Sequence, residues 1–426
     1  MIIVAVIFFT FIAIGMPIGV VLGVAGVVGI FDMGGGRFLA MIPDRFFAGL
    51  DLYPFLAMPF FILASEIMNR TGITDLIIGI ADSLVGWMRG GLAHTNMVAS
   101  VMFAGVTGSA TADTATFGNT LVPAMVKKGY TKSFACAVTA AGSIIGPTIP
   151  PSNLMIIYGS IMGVSIAGMF AAGILPGLLI CAVCMALIAI FGKAWKLPKA
   201  EHKFHLRQVW VALRRGWLAA ILPVFILGSI LGGWATPTEA AAIAVFYALV
   251  IGALIYRRLS WADLYNALFR TSIVTAILFL IIASATILGW WMTFNQIPQL
   301  IAAGFLAISE NPKVIIALII VLLLFVGLFM DINASLIILA PVLGPLTLAI
   351  GMDPVHAGIV IILSLNISLM TPPVGACLFV LASVCKEKIE NITRDLWPFI
   401  VAEVAVLLMV AYWSDMTLWV PHLLGF

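Results

Sequence analysis

The sequence predicts an all-α polytopic membrane protein made of two repeats, each with a re-entrant hairpin and a broken helix. Three observations predict it. Hydrophobic residues make up 63% of the 426 residues and charged residues only 9%, against about a quarter charged in a soluble domain. Apolar runs long enough to cross a bilayer follow one another along the whole chain, with glycine (39) and proline (21) inside them, as spanning helices tolerate. Unusual polar and proline-rich stretches in the first half recur in the second at nearly one offset.

So few charges exclude a water-facing surface, so most of the surface faces the lipid bilayer. The net charge of +3 is too small to suggest a nucleic-acid partner. The opening MIIVAVIFFTFIAIG has no basic flank and no small-residue cleavage site, and is expected to stay as a first helix. The apolar runs cover 2–30, 52–68, 76–88, 92–106, 133–149, 154–192, 217–233, 237–256, 271–293, 313–330, 332–350, 355–370 and 396–413.

One long polar connector, 193–215, carries Lys193, Lys196, Lys199, Lys203, Arg207, Arg214 and Arg215. Basic loops mark the cytoplasmic side, and Arg89, Lys127, Lys128, Lys132, Lys386, Lys388 and Arg394 fit the same side. LRQVWVALRR (206–215) and SWADLYNALFR (260–270) mix apolar and polar positions at helical spacing, which predicts two interfacial helices. The connector divides the chain into a first repeat, 1–192, and a second, 216–426. Each repeat ends in a hairpin (92–126, 313–350) followed by a broken helix (133–163, 355–385).

Four pairs of features support the repetition. Asp113 and Asp331 are 218 apart (331 − 113), as are Pro123 and Pro341 (341 − 123). The Pro150-Pro151 and Pro372-Pro373 pairs are 222 apart (372 − 150), and Pro17 and Pro237 are 220 apart (237 − 17). A four-residue insertion accounts for the drift from 218 to 222.

The chemistry lies in two kinds of stretch. GSATADT (108–114) and MDINAS (330–335) place short polar side chains between apolar segments, as the tip of a hairpin at membrane depth does. SIIGPTIPPSN (143–153) and NISLMTPPVG (366–375) hold paired prolines inside apolar runs. Proline removes a backbone donor and clashes with the preceding turn, so both helices should unwind. Unwinding frees carbonyl oxygens for a sodium ion, and the restarted helix points free N–H groups at the same place, which suits a carboxylate.

Sodium is a hard cation that takes several oxygens. Ser109, Thr111, Asp113, Thr148, Ser152 and Asn153 supply candidates in the first half, and Asp331, Asn333, Ser335, Asn366 and Thr371 in the second. An aspartate at the centre of a spanning helix costs about 2.5–3.5 kcal/mol, so two at equivalent places suggest a compensating ion. The competing reading makes Asp113 and Asp331 helix caps. A carboxylate substrate is expected against Ser152, Asn153, Asp331, Asn333, Thr371 and Gly375.

Other polar features read as structural. In GGWATPTEAAA (232–242), Thr236, Pro237 and Glu239 match a capping box. Glu66 and Asn69 end an apolar run and receive no role. Cys181 and Cys184 form a C-x-x-C within an apolar run with no histidine nearby; they and Cys136, Cys377 and Cys385 read as small apolar-tolerant residues. His94, His202, His205, His356 and His422 show no catalytic context. No Walker A run or paired metal-ligand spacing is present, so an enzyme is not expected.

GSATADTATFGNTLVPAM, GPTIPPSN, GGWATPTEAAA, LFMDINASLIILAPVLGPL and the TPPVG stretch, in this order, resemble the large membrane subunit of the tripartite ATP-independent periplasmic (TRAP) transporters, end to end. The members for C4-dicarboxylates and sialic acid look most similar. The resemblance implies an elevator-type ion-transporter fold with two inverted repeats, a small four-helix membrane subunit and a periplasmic substrate-binding protein as partners, and a place in the bacterial inner membrane. It also implies sodium-driven uptake of a small organic anion, with ions held around Ser109–Asp113 and Gly146–Asn153, Pro150 among them, and around Asp331–Ser335 and Asn366–Thr371. Three alternatives stay open. A self-sufficient sodium/carboxylate symporter would need no small partner, an ion channel would show unsaturable flux, and an anchor subunit would have no use for broken helices.

Overall fold

The structure, a computed structural model, describes residues 1–34, 38–199 and 204–426; His202 and Lys203 of the expected connector lie outside them. Among the described residues all regular structure is helical. The run 2–30 is two helices, α1 (Ile2–Ala13) and α2 (Ile18–Gly34). Gly15 between them takes a left-handed φ of 82°, and Pro17 cannot continue a preceding helix. Next come α3 (Met41–Ala48) and α4 (Ala57–Arg70), which meet at a bend of 60°, and then α5 (Ile73–Val85).

The first hairpin is α6 (Gly91–Thr107) and α7 (Ala110–Lys127). The first broken helix follows as α8 (Lys132–Ser143), a single turn α9 (Ile145–Thr148), an extended break at 149–152, and α10 (Asn153–Met162). α11 (Ile166–Phe191) closes the half.

The second half begins with α12 (Leu206–Leu231), α13 (Pro237–Val250), α14 (Trp261–Phe294) and α15 (Ile297–Ile308). Its hairpin is α16 (Pro312–Gly327) and α17 (Ile332–Ala349), and its broken helix is α18 (Pro354–Ser368) and α19 (Ala376–Cys385). α20 (Ile389–Tyr412) and α21 (Asp415–Leu424) end the described chain. α13 starts on the expected capping box: the Thr236 hydroxyl accepts from Glu239 N and the Glu239 carboxylate accepts from Thr236 N.

Among the described residues, seven helices are long and apolar enough to cross a membrane, or eight if the bent α3–α4 pair counts as one. The segment from Lys132 to Met162 differs from the others, because 94% of its apolar stretch is buried inside the protein. The first broken helix therefore forms the centre of the molecule, not a lipid-facing wall. α2 packs along α14 through a glycine stripe. A methyl group at Gly26 would come within 2.9 Å of the Leu288 backbone nitrogen, and one at Gly29 within 2.8 Å of the Trp291 ring. Small residues allow this close approach between apolar helices, where packing is the main source of attraction.

The structure corrects three expectations. The stretches 206–215 and 260–270 are not separate interfacial helices. Each is the first part of a long helix, α12 and α14, because nothing interrupts the helix after 270 and the single Gly216 after 215 is too little to break it. The polar connector is correspondingly shorter than 193–215.

The third correction concerns register. α6 and α16 start 221 residues apart (312 − 91), α7 and α17 start 222 apart (332 − 110), and α8 and α18 also 222 (354 − 132). At this register Asp331 matches Ser109, the residue before α7, and Asp113 matches Ser335. Pro123 then matches Pro345, not Pro341. One offset covers hairpins and proline pairs alike, and the four-residue insertion is unnecessary.

A cavity between two hairpin tips and two chain breaks

Each hairpin tip lies against the break of its own half. Gly108, at the first tip, has φ 56°, and a methyl group there would come within 2.6 Å of the Pro151 carbonyl oxygen. Only glycine allows both that backbone angle and that approach. In the second half Gly327, at the end of α16, is packed directly on the Ser368 hydroxyl. Both proline pairs, Pro150-Pro151 and Pro372-Pro373, have cis peptide bonds, and both interrupt their helices as expected.

The two breaks also touch each other. Asn366, near the end of α18, donates from Nδ2 to the Thr148 hydroxyl of α9 at 3.2 Å. Ser143, at the end of α8, donates to the Cys377 sulfur of α19 at 3.6 Å.

The expected site residues fall into two sets. Asp113, Thr148, Ser152, Ser335 and Asn366 are fully buried. The Asp113 carboxylate accepts a hydrogen bond from the Thr107 hydroxyl and lies directly against Gly146. Its Oδ2 has no hydrogen-bond partner, and neither do Ser152 Oγ, Ser335 Oγ or Asn366 Oδ1. Buried polar atoms are mostly paired, so four orphaned oxygens among the expected site residues are unusual. Pro150 is buried in the first break. Thr148 also donates to Ile144 O at 2.8 Å.

The second set faces an open cavity of about 1130 Å³. Ser109, Thr111 and Asn153 line it on one side, and Asp331 and Asn333 on the other. Asp331 caps α17: its Oδ1 accepts from Asn333 N at 2.9 Å and Ala334 N at 3.3 Å, so the capping reading describes Asp331. It does not describe Asp113, which sits within the first turn of α7 while Ser109 holds the cap position. Thr371 gives its hydroxyl to Ile367 O at 2.8 Å. Gly375, with φ 24°, is folded tightly onto the break, where a methyl group would come within 2.8 Å of Leu369 O and 3.0 Å of Thr371 O.

The opposite wall of the cavity comes from α4 and α14, and none of its charged residues was expected at the site. Arg270 Nε lies 3.0 Å from Glu66 Oε1. Arg70 Nε lies 3.8 Å from Glu66 Oε2, and its Nη1 4.0 Å from Asp263 Oδ1. The available signal was the spacing of Glu66 and Arg70, an i, i+4 pair at the end of an apolar run. Arg270 was hidden because its stretch reads as an interfacial helix.

Comparison with known proteins identifies the family. The profile of the family described as "Tripartite ATP-independent periplasmic transporter, DctM component" matches residues 5–416. The chain belongs to that family. Among related TRAP permeases, the sialic acid TRAP transporter large permease protein SiaM of Vibrio cholerae is 39% identical over 383 residues, 89% of each chain. The C4-dicarboxylate TRAP transporter large permease protein DctM of Vibrio cholerae is 34% identical over 431 residues, 96% of this chain and 95% of the relative. The 2,3-diketo-L-gulonate TRAP transporter large permease protein YiaN of Escherichia coli is 35% identical over 407 residues, 95% of each. The solved YdaH transporter of Alcanivorax borkumensis shares the fold, with a TM-score of 0.64 over 97% of this chain and 98% of that one, at 17% identity. This TRAP permease is thus a multi-pass membrane protein with a transporter fold.

Proposed function

We propose that this TRAP permease performs sodium-coupled secondary-active uptake of a small organic carboxylate across a bacterial inner membrane. The observation that carries the reading is the set of four unpartnered buried oxygens: Asp113 Oδ2, Ser152 Oγ, Ser335 Oγ and Asn366 Oδ1. Leaving such groups unmade is costly, and a small hard cation that binds oxygen removes the cost. Carbonyl oxygens freed at 149–151, Pro150 among them, and at 370–374, with that of Gly146, complete the donor supply. Sodium here is cargo, taken up and released in each cycle.

The cavity supports an anion that follows sodium. Its charged lining is Glu66, Arg70, Asp75, Arg270 and Asp331, three negative and two positive, one negative in excess. A carboxylate entering alone meets like charge, and sodium bound beside the cavity reduces that repulsion. The side chains of Asn153, Asn333 and Arg270, with the free N–H groups at the start of α10, suit a carboxylate. Ser152 and Thr371, buried or turned inward, position the breaks.

The proposed mechanism is an elevator. Hairpins and broken helices of two inverted repeats move as one body against a wall that includes α4 and α14. One charge crossing 100 mV yields about 2.3 kcal/mol, so two sodium ions per cycle support steep accumulation. A small four-helix membrane subunit and a periplasmic substrate-binding protein complete the system, and the relatives' substrates, sialic acid and C4-dicarboxylates, are the first to try.

Uptake into proteoliposomes, with both partners present and a sodium gradient imposed, tests the reading. Accumulation that tracks the gradient supports it. Uptake indifferent to sodium overturns it, and uptake by the permease alone favours a self-sufficient symporter.

A further inference from the structure

One buried acid takes no part in the proposed cycle. Glu403 lies in the middle of α20 and is fully buried. Its Oε1 is 3.6 Å from the Cys184 sulfur of α11, and its Oε2 has no hydrogen-bond partner. Cys184, one of the two cysteines of the C-x-x-C, thus acts as its weak donor.

The elements packed on α20 bring no counter-charge. α8 carries Cys136 and, at its start, the half-buried Lys132, whose Nζ donates to Lys386 O at 3.3 Å. α11 carries Cys181 and Cys184, α18 carries His356, and α19 carries Cys377 and Cys385. The His356 ring is held by the Thr417 hydroxyl at 2.7 Å and Ala411 O at 3.3 Å. Lys193 and Lys196, flanking the Trp195 that stacks on Phe399, are exposed. On α20 itself, Glu390, Arg394 and Asp395 lie two or more turns away. Among the described residues no cation pairs with Glu403.

A carboxylate in this place is an uncompensated charge away from water, which costs more than a neutral carboxyl with one hydrogen bond unmade. Leucine or glutamine would fill the space without that cost. Ionisable groups inside spanning segments mark ion and proton paths. Glu403 also sits against the body that holds the breaks: α20 packs on α8, α18 and α19, arms of both broken helices.

We propose that Glu403 is a proton-binding site carried by the hairpin-and-broken-helix body, separate from any sodium bound at the breaks. Binding adds one proton to the carboxylate and changes no other bond. The body then moves with that charge neutralised, and the proton exchanges with water only when the α11–α20 contact opens. The inference does not rest on the sodium reading.

Infrared difference spectroscopy on the full-length protein in lipid nanodiscs, stepped from neutral to alkaline buffer, tests it with the proton itself as probe. Wild type is expected to lose a protonated-carboxyl carbonyl signal that Glu403→Gln lacks from the start. Glutamine mimics the neutral acid, so the variant's melting temperature should stay flat where wild type's falls with rising pH. Identical carboxyl signals in wild type and Glu403→Gln overturn the proposal. If Glu403→Gln does not fold, Glu403→Asp should displace the signal, and an unmoved signal is equally fatal. In transporting vesicles, acidifying the outside should accelerate sodium-driven uptake in wild type and leave Glu403→Gln unaffected. An equal response of both to pH means that the proton does not travel with the body.

Discussion

Asn366 Nδ2 donates to Thr148 Oγ1 at 3.2 Å across 218 residues of sequence, and this bond ties the last turns before the two breaks together. Asn366 Oδ1, the other half of the amide, is buried without a partner. One side chain thus spans both halves and keeps one oxygen available. The proposed coupling between ion sites in the two repeats would use a physical link of this kind.

Asn366→Ala removes the link and the free oxygen together. Thr148 keeps its bond to Ile144 O, so the stability loss should stay at about 1–3 kcal/mol, the cost of a buried pair broken with a small cavity left. Sodium affinity, measured by sodium-dependent thermal stabilisation, should fall by more than about tenfold, or 1.4 kcal/mol. Unchanged sodium response in a folded Asn366→Ala protein would remove this residue from the site.

Gly146→Ala tests the fit of Asp113. A methyl group at this position overlaps the Asp113 carboxylate, which Thr107 holds in place. Overpacking of a tight core costs about 1–3 kcal/mol, and the displaced carboxylate should lose sodium. Pairing the change with Asp113→Ala makes room for the methyl. The double variant should therefore be no worse than Asp113→Ala alone, a non-additivity of about 0.5–3 kcal/mol typical of residues in contact. Additive losses would show that the two residues act separately.

The two aspartates should respond differently. Asp331 is a cap with two backbone donors, and asparagine caps nearly as well. Asp331→Asn should then keep the melting temperature, while Asp331→Ala loses about 1 kcal/mol. Both remove the charge and should weaken sodium dependence alike. Asp113 caps nothing, so Asp113→Asn and Asp113→Ala should both act mainly on sodium binding. A sodium response that follows the cap, present in Asp331→Asn and lost in Asp331→Ala, would make Asp331 purely structural.

The contrast between these aspartates shows what the sequence displays and what it hides. Hairpins and breaks are legible because their signals are local: Pro150-Pro151 and Pro372-Pro373 cannot sit within a helix, and Gly108 must turn. Register is not local. Asp113 and Asp331 look equivalent by residue type, but the helix starts pair Asp113 with Ser335, and only the folded frame shows it. Arg270 was missed for a related reason. Its amphipathic surroundings describe an interfacial helix equally well, until α14 is seen to run on without a break and place it on the cavity wall.

Arg270 offers the sharpest test of how an anion is selected. Its side chain is 63% exposed, against 18% for its partner Glu66, and its Nε lies 3.0 Å from the Glu66 carboxylate. Exposed ion pairs contribute about 0–1 kcal/mol to stability, so Arg270→Gln should fold and melt almost as wild type does. The cavity's formal charge, however, goes from one negative to two. Carboxylate uptake should then show a KM raised by about tenfold, equivalent to 1.4 kcal/mol, with sodium-dependent stabilisation preserved. Arg270→Lys keeps the charge but loses the planar fork that matches a carboxylate, and should fall between the two. If Arg270→Gln takes up the carboxylate with wild-type KM, the charge on the α4–α14 wall does not select the substrate, and selection must come from the hairpin tips and the start of α10.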